Sequence, residues 1–505
     1  MNKLDWSKEQ RQAPIGLIIF SIETIRKLIK ILWPVLIPII AEQGNSKQIS
    51  VLKEQTYFYG TIAVVVFVMI NSLLSYWFFR FQIINGELLI NKGYLKKIRL
   101  SIPLDRIQTV NIKQNIFHKI LNLVSVDIDT AGGKDVEVKL IAIKKTVAEA
   151  LKDEIQKNAK SITNTPEKII TDEIKENTTE EILALSLSDI VKVGLSENHL
   201  RSLAAILGIG YWIYSQFQDY SGNQADEFVT NSTQIISSNH ISFYFWIFIF
   251  LLMFMISVLF SFILSFIRFY ELKLSKLSNS FKLSFGLINT KEISIPMSKI
   301  QVISWHQNPF RQLLRFETLK IKQAVSGERI KKKQAIEIPA CRLSHQKSIK
   351  NAIFGDTEPS FSPVYKTHWM YFLRNFIFFT IIFILPTIFF WWQDQEYQIS
   401  IIIYEVFWAV FFFISYKRRG FRISESQLEI TKGHISKSIY QMQNFKIQAI
   451  NYNQNIFIKK RHLANITIFT ASGDNLRIPY IPEKLAKELY NFLLYKIESS
   501  EKPWM

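Results

Sequence analysis

The chain has 505 residues and a formal net charge of +19, because 61 Lys and Arg outnumber 42 Asp and Glu. Apolar residues make up 48% of the chain and gather in long blocks, which argues against a wholly soluble protein. The single cysteine, Cys341, excludes an internal disulfide framework and a cysteine-rich metal site. The histidines are scattered, and no HExxH, CxxC, GxSxG or Walker-type glycine loop occurs. An ordinary hydrolase, NTPase or zinc enzyme is therefore disfavoured, and we expect neither a metal nor a cofactor.

Several apolar segments are long enough to cross about 30 Å of hydrocarbon, which takes roughly 20 residues. A weaker candidate at about 28–41 follows an amphipathic stretch in which Glu23 and Lys27 can pair on one helix face. This region lacks the pattern of a cleavable signal peptide. The five clearer spans are about 57–79, 200–217, 241–267, 370–392 and 396–416. The sequence therefore predicts six transmembrane helices in three pairs.

The distribution of Lys and Arg predicts the orientation of these helices. The loop at 218–239 and the loop at 393–395 contain no basic residue, whereas four basic residues follow the last span within 417–422. By the positive-inside rule, both termini and the three large polar regions are predicted to be cytoplasmic in a multi-pass cell-membrane protein. Much of the net charge is then a topology signal.

A threefold internal repeat follows the pattern [RK]-I-Q-x5-Q-N-x-F. Each copy is preceded by a glycine fifteen residues before its first Gln: Gly93, Gly286 and Gly433. The matched basic and amide positions are Arg106, Gln108, Gln114 and Asn115, then Lys299, Gln301, Gln307 and Asn308, then Lys446, Gln448, Gln454 and Asn455. Each copy follows a pair of predicted spans, so the chain reads as three equivalent units.

The polar part of each unit reads as a small antiparallel sheet or barrel capped by a C-terminal helix. In the first unit, Asn85-Gly86 between two apolar runs is a strong hairpin signal. Helix-patterned stretches close the first unit at 146–156 and the third at 482–497. The fold class is thus membrane α-helical plus α+β.

With these motifs the chain resembles the bacterial pleckstrin-homology (PH) domain membrane proteins of the YdbT-like family. The stretches 102–115 (IPLDRIQ and the following QN) and 130–133 (TAGG) carry the resemblance most specifically, and the later copies depart from the second stretch. The resemblance covers the whole chain. It implies paired transmembrane helices, repeated bacterial PH domains and a role in envelope maintenance or stress.

The predicted domain boundaries follow from these units. The ranges are 1–79 for an interfacial helix and the first pair, 80–157 for the first PH-like domain, 158–199 for a polar linker and interfacial helix, 200–267 for the second pair, 268–355 for the second domain, 356–369 for a linker, 370–416 for the third pair and 417–505 for the third domain.

Two kinds of residue are candidates for binding. The motif amides are more simply explained as structural, with Asn308-Pro309 typical of an N-cap followed by a first-turn proline. Basic clusters can contact the anionic inner leaflet, or serve only as a solvated face and topology signal, and we rate the two readings about equal. These clusters are Lys96, Lys97 and Arg99, then Lys331, Lys332 and Lys333, then Lys459, Lys460 and Arg461. Their dispersal disfavours nucleic-acid binding.

Glu405 is the one acidic residue deep within a predicted span, where an ionisable group costs roughly 2.5–3.5 kcal/mol. Arg374 is its partner by charge, although the expected depths fit poorly. His306 and Cys341 have no motif partner and are read as ordinary structural residues.

We therefore expect a non-enzymatic binding or scaffold protein at the inner leaflet, with membrane lipids and a protein or peptide as partners. The alternative is a transporter or lipid-handling protein that uses the helix bundle and Glu405. The ligand and the oligomeric state stay open.

Overall fold

The computed structural model describes residues 5–22, 24–26, 28, 51–130, 138–161, 180–221, 243–324, 335–355, 359–393 and 398–501. The predicted span at 28–41 lies almost wholly outside these residues. Glu23, Lys27 and the basic cluster at 331–333 also lie outside them.

The first unit starts with a short strand and a long helix and continues as two groups of three strands. In chain order its elements are β1 (Gln10–Arg11), α1 (Val51–Trp77), β2 (Arg80–Ile84), β3 (Glu87–Lys92), β4 (Ile98–Pro103), β5 (Ile107–Gln114), α2 (Ile116–Ile120), β6 (Leu123–Thr130), β7 (Val138–Lys144) and α3 (Lys145–Ser161).

The second unit repeats this order of strands, and three helices of the described chain lie between its first two strands. Its elements are β8 (Glu180–Ala184), α4 (Leu187–Leu195), α5 (His199–Ser221), α6 (Phe243–Phe269), β9 (Lys273–Lys276), β10 (Ser280–Phe285), β11 (Thr290–Pro296), β12 (Ile300–Gln307), α7 (Pro309–Leu313), β13 (Glu317–Gln323), β14 (Ile336–Cys341) and α8 (Leu343–Phe354).

The third unit has the same order of strands again, and two helices of the described chain lie between its first two strands. Its elements are β15 (Tyr365–Lys366), α9 (Met370–Gln393), α10 (Gln398–Lys417), β16 (Gly420–Ile423), β17 (Gln427–Gly433), β18 (Lys437–Gln443), β19 (Ile447–Asn453), α11 (Ile456–Lys459), β20 (Leu463–Thr470), β21 (Asn475–Pro482) and α12 (Glu483–Glu498). The repeat seen in the sequence is therefore a repeat of structure.

Helices cover the described part of the five clearer predicted spans except for the last two residues of the first span. Among the described residues, one helix is long and apolar enough to cross a membrane, at Ile247–Phe269 within α6. The apolar stretches Ile62–Trp77 and Met370–Ile382 are shorter. Six membrane-spanning helices in three pairs therefore remain a proposal, and what the structure establishes is three β-rich domains preceded by helices.

The local turn signals of the sequence are confirmed. Ile84 pairs with Glu87 across Asn85 and Gly86, which both have positive φ, as a tight two-residue hairpin requires. The repeated glycine also has positive φ in all three copies, for example +111° at Gly286. A Cβ at this position would collide with the backbone carbonyl oxygen of Asn289. The repeat therefore retains glycine for steric reasons.

Sheet pairing differs from the expectation of three self-contained domains. We call β5, β12 and β19 the motif strands, and β4, β11 and β18 the joining strands. Motif strand β5 pairs with joining strand β11 of the next domain, and β12 pairs with β18. Two seven-stranded sheets therefore run across domain boundaries, in the orders β7-β6-β5-β11-β10-β9-β8 and β14-β13-β12-β18-β17-β16-β15. Each domain contributes half of its strands to one sheet and half to another.

Short strands before the helices add a further correction. β8 lies within the predicted linker at 158–199 and pairs with β9, and β15 lies within the predicted linker at 356–369 and pairs with β16. β8 has five residues and β15 has two, and neither shows the alternation of apolar and polar residues that marks a strand in the sequence.

The three largest hydrophobic cores among the described residues follow the three domains, and each of the last two domains places a residue in or against the core of the other. Val302 on motif strand β12 belongs to the third core, while Ile439 on β18 packs against the second. Strand alternation places two apolar side chains of each motif strand on the core side, with Val110 and Ile112 buried in the first copy and Ile450 and Tyr452 partly buried in the third. The domains are thus joined by packing as well as by backbone hydrogen bonds.

Candidate functional site

The motif amides hold the turn that ends each motif strand. Asn115, Asn308 and Asn455 each cap the following short helix, accepting a hydrogen bond from the third residue along. The side-chain Nε2 of Gln114 donates to the carbonyl oxygen of Leu123 at 2.9 Å, and Gln454 donates to that of Leu463 at 2.8 Å. These amides satisfy backbone groups at the strand ends.

The other motif positions differ between copies. Lys446 crosses to the second domain, where its Nζ donates to the carbonyl oxygens of Ser298 at 2.9 Å and Ile300 at 2.7 Å. Burial lowers the pKa of Lys446 to about 8. The remaining positions differ in exposure. Exposed side chains are Arg106 and Gln448, half-buried ones are Lys299 and Gln307, and Gln301 is buried. The side chain of Gln108 lies outside the described ones.

The short helices that follow the motif strands expose an aromatic side chain in every copy. We call α2, α7 and α11 the motif helices. The final residue of the repeat pattern lies on each of them, and Phe117, Phe310 and Phe457 are 45%, 62% and 81% exposed. A structural role would bury these rings, so their recurrence at the surface points to contact with another apolar phase.

The motif helices lie beside the ends of the long helices. Lys119 on α2 donates to the carbonyl oxygen of Leu287, whose own N–H bonds to Ile267 in α6. Arg311 on α7 pairs with Glu197 at 3.3 Å, between α4 and α5. Arg461, just after α11, contacts the sulfur of Met370, the first residue of α9, at 2.7 Å. All three motif helices are therefore on the helix side of their domains.

The predicted basic clusters have separate locations. Lys96 and Lys97 are exposed in the turn before β4, next to Tyr94, whose hydroxyl donates to Asn71 of α1 at 2.7 Å. Arg99 is exposed on β4 itself. The cluster of Lys459, Lys460 and Arg461 is exposed at the end of motif helix α11. The cluster of Lys331, Lys332 and Lys333 is outside the described residues.

The structure also forms an arginine cluster that sequence reasoning missed, consisting of Arg374, Arg419 and Arg477. The guanidinium of Arg419 lies 4.5 Å from the ring centre of Tyr371, and that of Arg374 lies 5.3 Å from that of Tyr480. Burial, and then repulsion from the other two arginines, lowers the pKa of Arg419. Within the part of the chain that the structure describes, no carboxylate lies within 4 Å of these three guanidinium groups. Arg419 follows the last span and Arg477 lies on β21, so no sequence spacing links them.

A polar network crosses the junction between the second and third domains. Glu429 is 4% exposed and is held by two hydrogen bonds of 2.8 Å from Arg422 and one of 2.6 Å from Gln441. The amide oxygen of Gln441 accepts a hydrogen bond of 3.2 Å from the indole N–H of Trp305 on motif strand β12. A cavity of about 500 Å³ opens beside this network and is lined in part by Lys350 and Arg422.

The remaining single residues have structural surroundings. Glu405 accepts a hydrogen bond of 3.0 Å from Thr380 across the α9–α10 contact, whereas Arg374 donates to Asn375. The charge partnership of Arg374 with Glu405 is therefore wrong. His306 bonds Ser438 at 2.8 Å, and burial followed by nearby lysines lowers its pKa to about 4, so it is neutral.

No cluster of three metal-ligating side chains occurs among the described residues. Cys341 is buried, and burial raises the pKa of its thiol to about 12, which leaves it protonated and unreactive.

Comparison with known proteins agrees with this architecture. The model of the bacterial PH domain family matches residues 35–159, 233–356 and 376–497. The chain is 26% identical over 491 residues to the UPF0699 transmembrane protein YdbT of Bacillus subtilis (strain 168), an alignment that covers 93% of this chain and 94% of that protein. No solved structure matches the chain. The resemblance inferred from the motifs is thus confirmed.

Proposed function

The chain belongs to the bacterial PH domain family, and on that premise we propose that it is a multi-pass membrane protein that acts as a binding scaffold at the inner leaflet. In this proposal, six helices in three pairs anchor three cytoplasmic PH-like domains, and both termini are cytoplasmic. The transmembrane name of the Bacillus relative, the apolar helix α6 and the positive-inside pattern support it.

The observation that carries the proposal is the exposed phenylalanine of each motif helix beside the ends of the long helices. A membrane surface would remove these rings from water, and full burial of one Phe is worth about 1.5–3 kcal/mol. Basic residues follow on the same helices, and each gains about 1 kcal/mol near an anionic leaflet. Three such contacts would hold the domains against the membrane in a fixed orientation.

The arginine cluster supports the same arrangement. Arg374 and Arg419 lie at the domain-facing ends of α9 and α10, which is the depth of the lipid phosphates in the proposed topology. A phosphate bridging these groups would relieve their mutual repulsion through charge-assisted hydrogen bonds. We infer that anionic membrane lipids are the first partner and that a protein or peptide bound by the sheet edges is the second.

The wider role is inferred from the family resemblance as envelope maintenance or stress, carried out by binding and without catalysis. A transporter that uses Glu405 is the second candidate. The hydrogen bond from Thr380 favours a structural role for Glu405 instead, because it satisfies one oxygen of the carboxyl group within the helix pair.

Membrane contact of the motif helices is tested with the full chain in lipid nanodiscs. Phe457→Cys is labelled with an environment-sensitive fluorophore, and nitroxide lipids that quench near the headgroups are added. The natural Cys341 is buried, so background labelling is low. We expect a blue-shifted emission and strong quenching by the nitroxide lipids.

Tyr495→Cys serves as the matched control. Tyr495 is 66% exposed but lies on α12, twelve residues and about 18 Å along the helix from Glu483, which bonds to the end of the α11 segment. We expect a water-like emission and little quenching at this site. Equal quenching at both sites, or none at Phe457, would contradict the proposal.

A further inference from the structure

The two domain junctions inside the chain use one geometry. At the first, Gln114 at the end of motif strand β5 lies opposite Thr290, the fourth residue after Gly286. At the second, the equivalent Gln307 lies opposite Lys437, the fourth residue after Gly433. The same register therefore occurs twice, and it joins the motif strand of one domain to the joining strand of the next.

One strand of each kind is left over at the ends of this array. In the described part of the chain, the motif strand of the third domain, β19, is an edge of its sheet, and the joining strand of the first domain, β4, is an edge of another. The first domain offers the strand that the third domain lacks. Each edge exposes backbone N–H and C=O groups that the two internal junctions satisfy by pairing.

Side chains that a neighbouring strand covers in the first two motif strands are exposed in the third, β19. Thr109 and Val302 are buried at equivalent positions of the first two copies, whereas the matching Ala449 is exposed. Likewise Ser304 is buried and the matching Asn451 is exposed. The segment Ile447–Asn453 contains no charged residue and no proline, the devices that usually protect a free edge.

The free strands also retain the contacting residues of the first junction. There, the side-chain oxygen of Asn111 accepts a hydrogen bond of 3.2 Å from the backbone N–H of Ser294. The equivalent residues at the free edges are again an asparagine and a serine, Asn451 and Ser101. The like-charged pair Lys113 and Lys291 of the first junction is replaced by uncharged residues at the free edges.

Charge at the free edges is complementary in the same register. Lys97 of the joining strand would lie opposite Gln454, the equivalent of Gln114. The amide of Gln454 contacts one oxygen of Glu483 at 3.3 Å, and Lys487 pairs with the other oxygen at 2.8 Å, so Lys97 would approach a carboxylate that already has one cationic partner. Opposite charges at such positions favour pairing.

We propose that the protein assembles head to tail with a second copy of itself, in which β19 of one molecule pairs with β4 of the next in the register of the internal junctions. The contact is heterologous, so repetition produces a closed ring or an open row. The internal junctions relate domains that share one set of anchoring helices. All three domains keep their motif helices on the helix side, so a further copy added by the same strand pairing would present that side in the same way. Lys97 and Arg99 then form part of a protein interface.

The test is register-specific disulfide crosslinking of the full-length protein in its membrane. Asn453→Cys and Ile98→Cys occupy positions that face each other in the proposed register. Residues directly opposite across an antiparallel pair have Cα atoms about 4.5–5.5 Å apart, within disulfide range. The two variants are made with different tags and produced together in one cell, and the membranes are oxidised. We expect a shift to a dimer that carries both tags, and no dimer from either variant alone.

Two controls make the result decisive. Lys113→Cys with Lys291→Cys in one chain occupies the same positions at the first internal junction and must form an intramolecular disulfide. In the second control, the Asn453→Cys variant is produced together with a Ser101→Cys variant. Position 101 lies three residues, about 10 Å, along β4 from position 98, so the mixed dimer should not form.

Three outcomes would overturn the proposal. The first is formation of the control disulfide between positions 113 and 291 while the mixed dimer between positions 453 and 98 does not form. The second is equal crosslinking at the displaced position, which would indicate random collision. The third is a crosslink from Asn453→Cys to a protein of another mass, which would identify a different partner for β19.

Discussion

The glycine that recurs before each motif strand provides a direct test of the turn geometry. Gly286 has φ +111°, and its N–H bonds to the carbonyl oxygen of Tyr270 at 2.9 Å. In Gly286→Ala the new Cβ would overlap the carbonyl oxygen of Asn289 and lie 3.0 Å from its carbonyl carbon. Because these are backbone atoms, a change of side-chain rotamer cannot relieve the contact.

The expected loss is the sum of two effects. A Cβ at positive φ costs about 1–2 kcal/mol, and moving the overlapped backbone adds about 1–3 kcal/mol. Gly286→Ala should therefore destabilise the protein by about 2–5 kcal/mol. Gly86→Ala is the matched control, because Gly86 has φ +76° but no atom within 4 Å of the added Cβ. It should lose only the first 1–2 kcal/mol.

Thermal unfolding of the detergent-solubilised full chain compares the stability losses of these variants. Gly208→Ala, in helix α5 with open space around the Cβ, should leave Tm unchanged or raise it, because Ala favours the helix more than Gly does. Gly286→Ala should lower Tm most, and by about twice the shift of Gly86→Ala.

Hydrogen exchange locates the effect. Gly286 places Thr290 opposite Gln114, so exchange in Gly286→Ala should rise in β11 and β5 while β20 and β21 keep their protection. Equal melting of Gly286→Ala and Gly86→Ala, or uniform exchange, would refute the reasoning.

Four further substitutions test the junction and the helix pair. Lys446 has a folded pKa of about 8 against its usual 10.5, so the unfolded chain binds more protons between these values. Relative to Lys446→Met, the stability of the wild type should therefore rise as pH increases from 8 to 10 in thermal melts. Trp305→Phe should cost about 1–3 kcal/mol in denaturant unfolding, because it leaves the buried Gln441 without its donor. Thr380→Val should lower Tm by the equivalent of about 1 kcal/mol, whereas Glu405→Gln should keep most of the stability, since Thr380 can still donate to its amide oxygen.

Much of the local structure could be predicted because short-range chemistry determines it. Asn85-Gly86 forms its hairpin because both residues tolerate positive φ, and Asn308-Pro309 begins a helix because the asparagine side chain caps a free N–H. The inward-facing pair Val110 and Ile112 follows from strand alternation. These features need only neighbours within a few residues.

The candidate surfaces were predicted only in part. The pattern identified Phe117 and its two equivalents, but sequence alone could not show that these rings are exposed. Lys459, Lys460 and Arg461 were singled out by their adjacency. Arg374 and Arg477 could not be linked to Arg419, because they are separated by long stretches of chain and meet only after α9 packs against β21.

The sequence by itself determined the threefold repeat, the order of elements in each unit and the positions of the tight turns, since periodicity, glycine and capping residues act locally. Only the tertiary structure decided that two sheets cross the domain boundaries, that β8 and β15 extend these sheets, and that β4 and β19 are left at the edges of two smaller sheets in the described part of the chain. Strand pairing satisfies backbone groups that are the same in every residue, so side chains do not specify the partner strand until packing brings two edges together. The repeat predicted three like domains, and their contacts made them one continuous array with a free strand at each end.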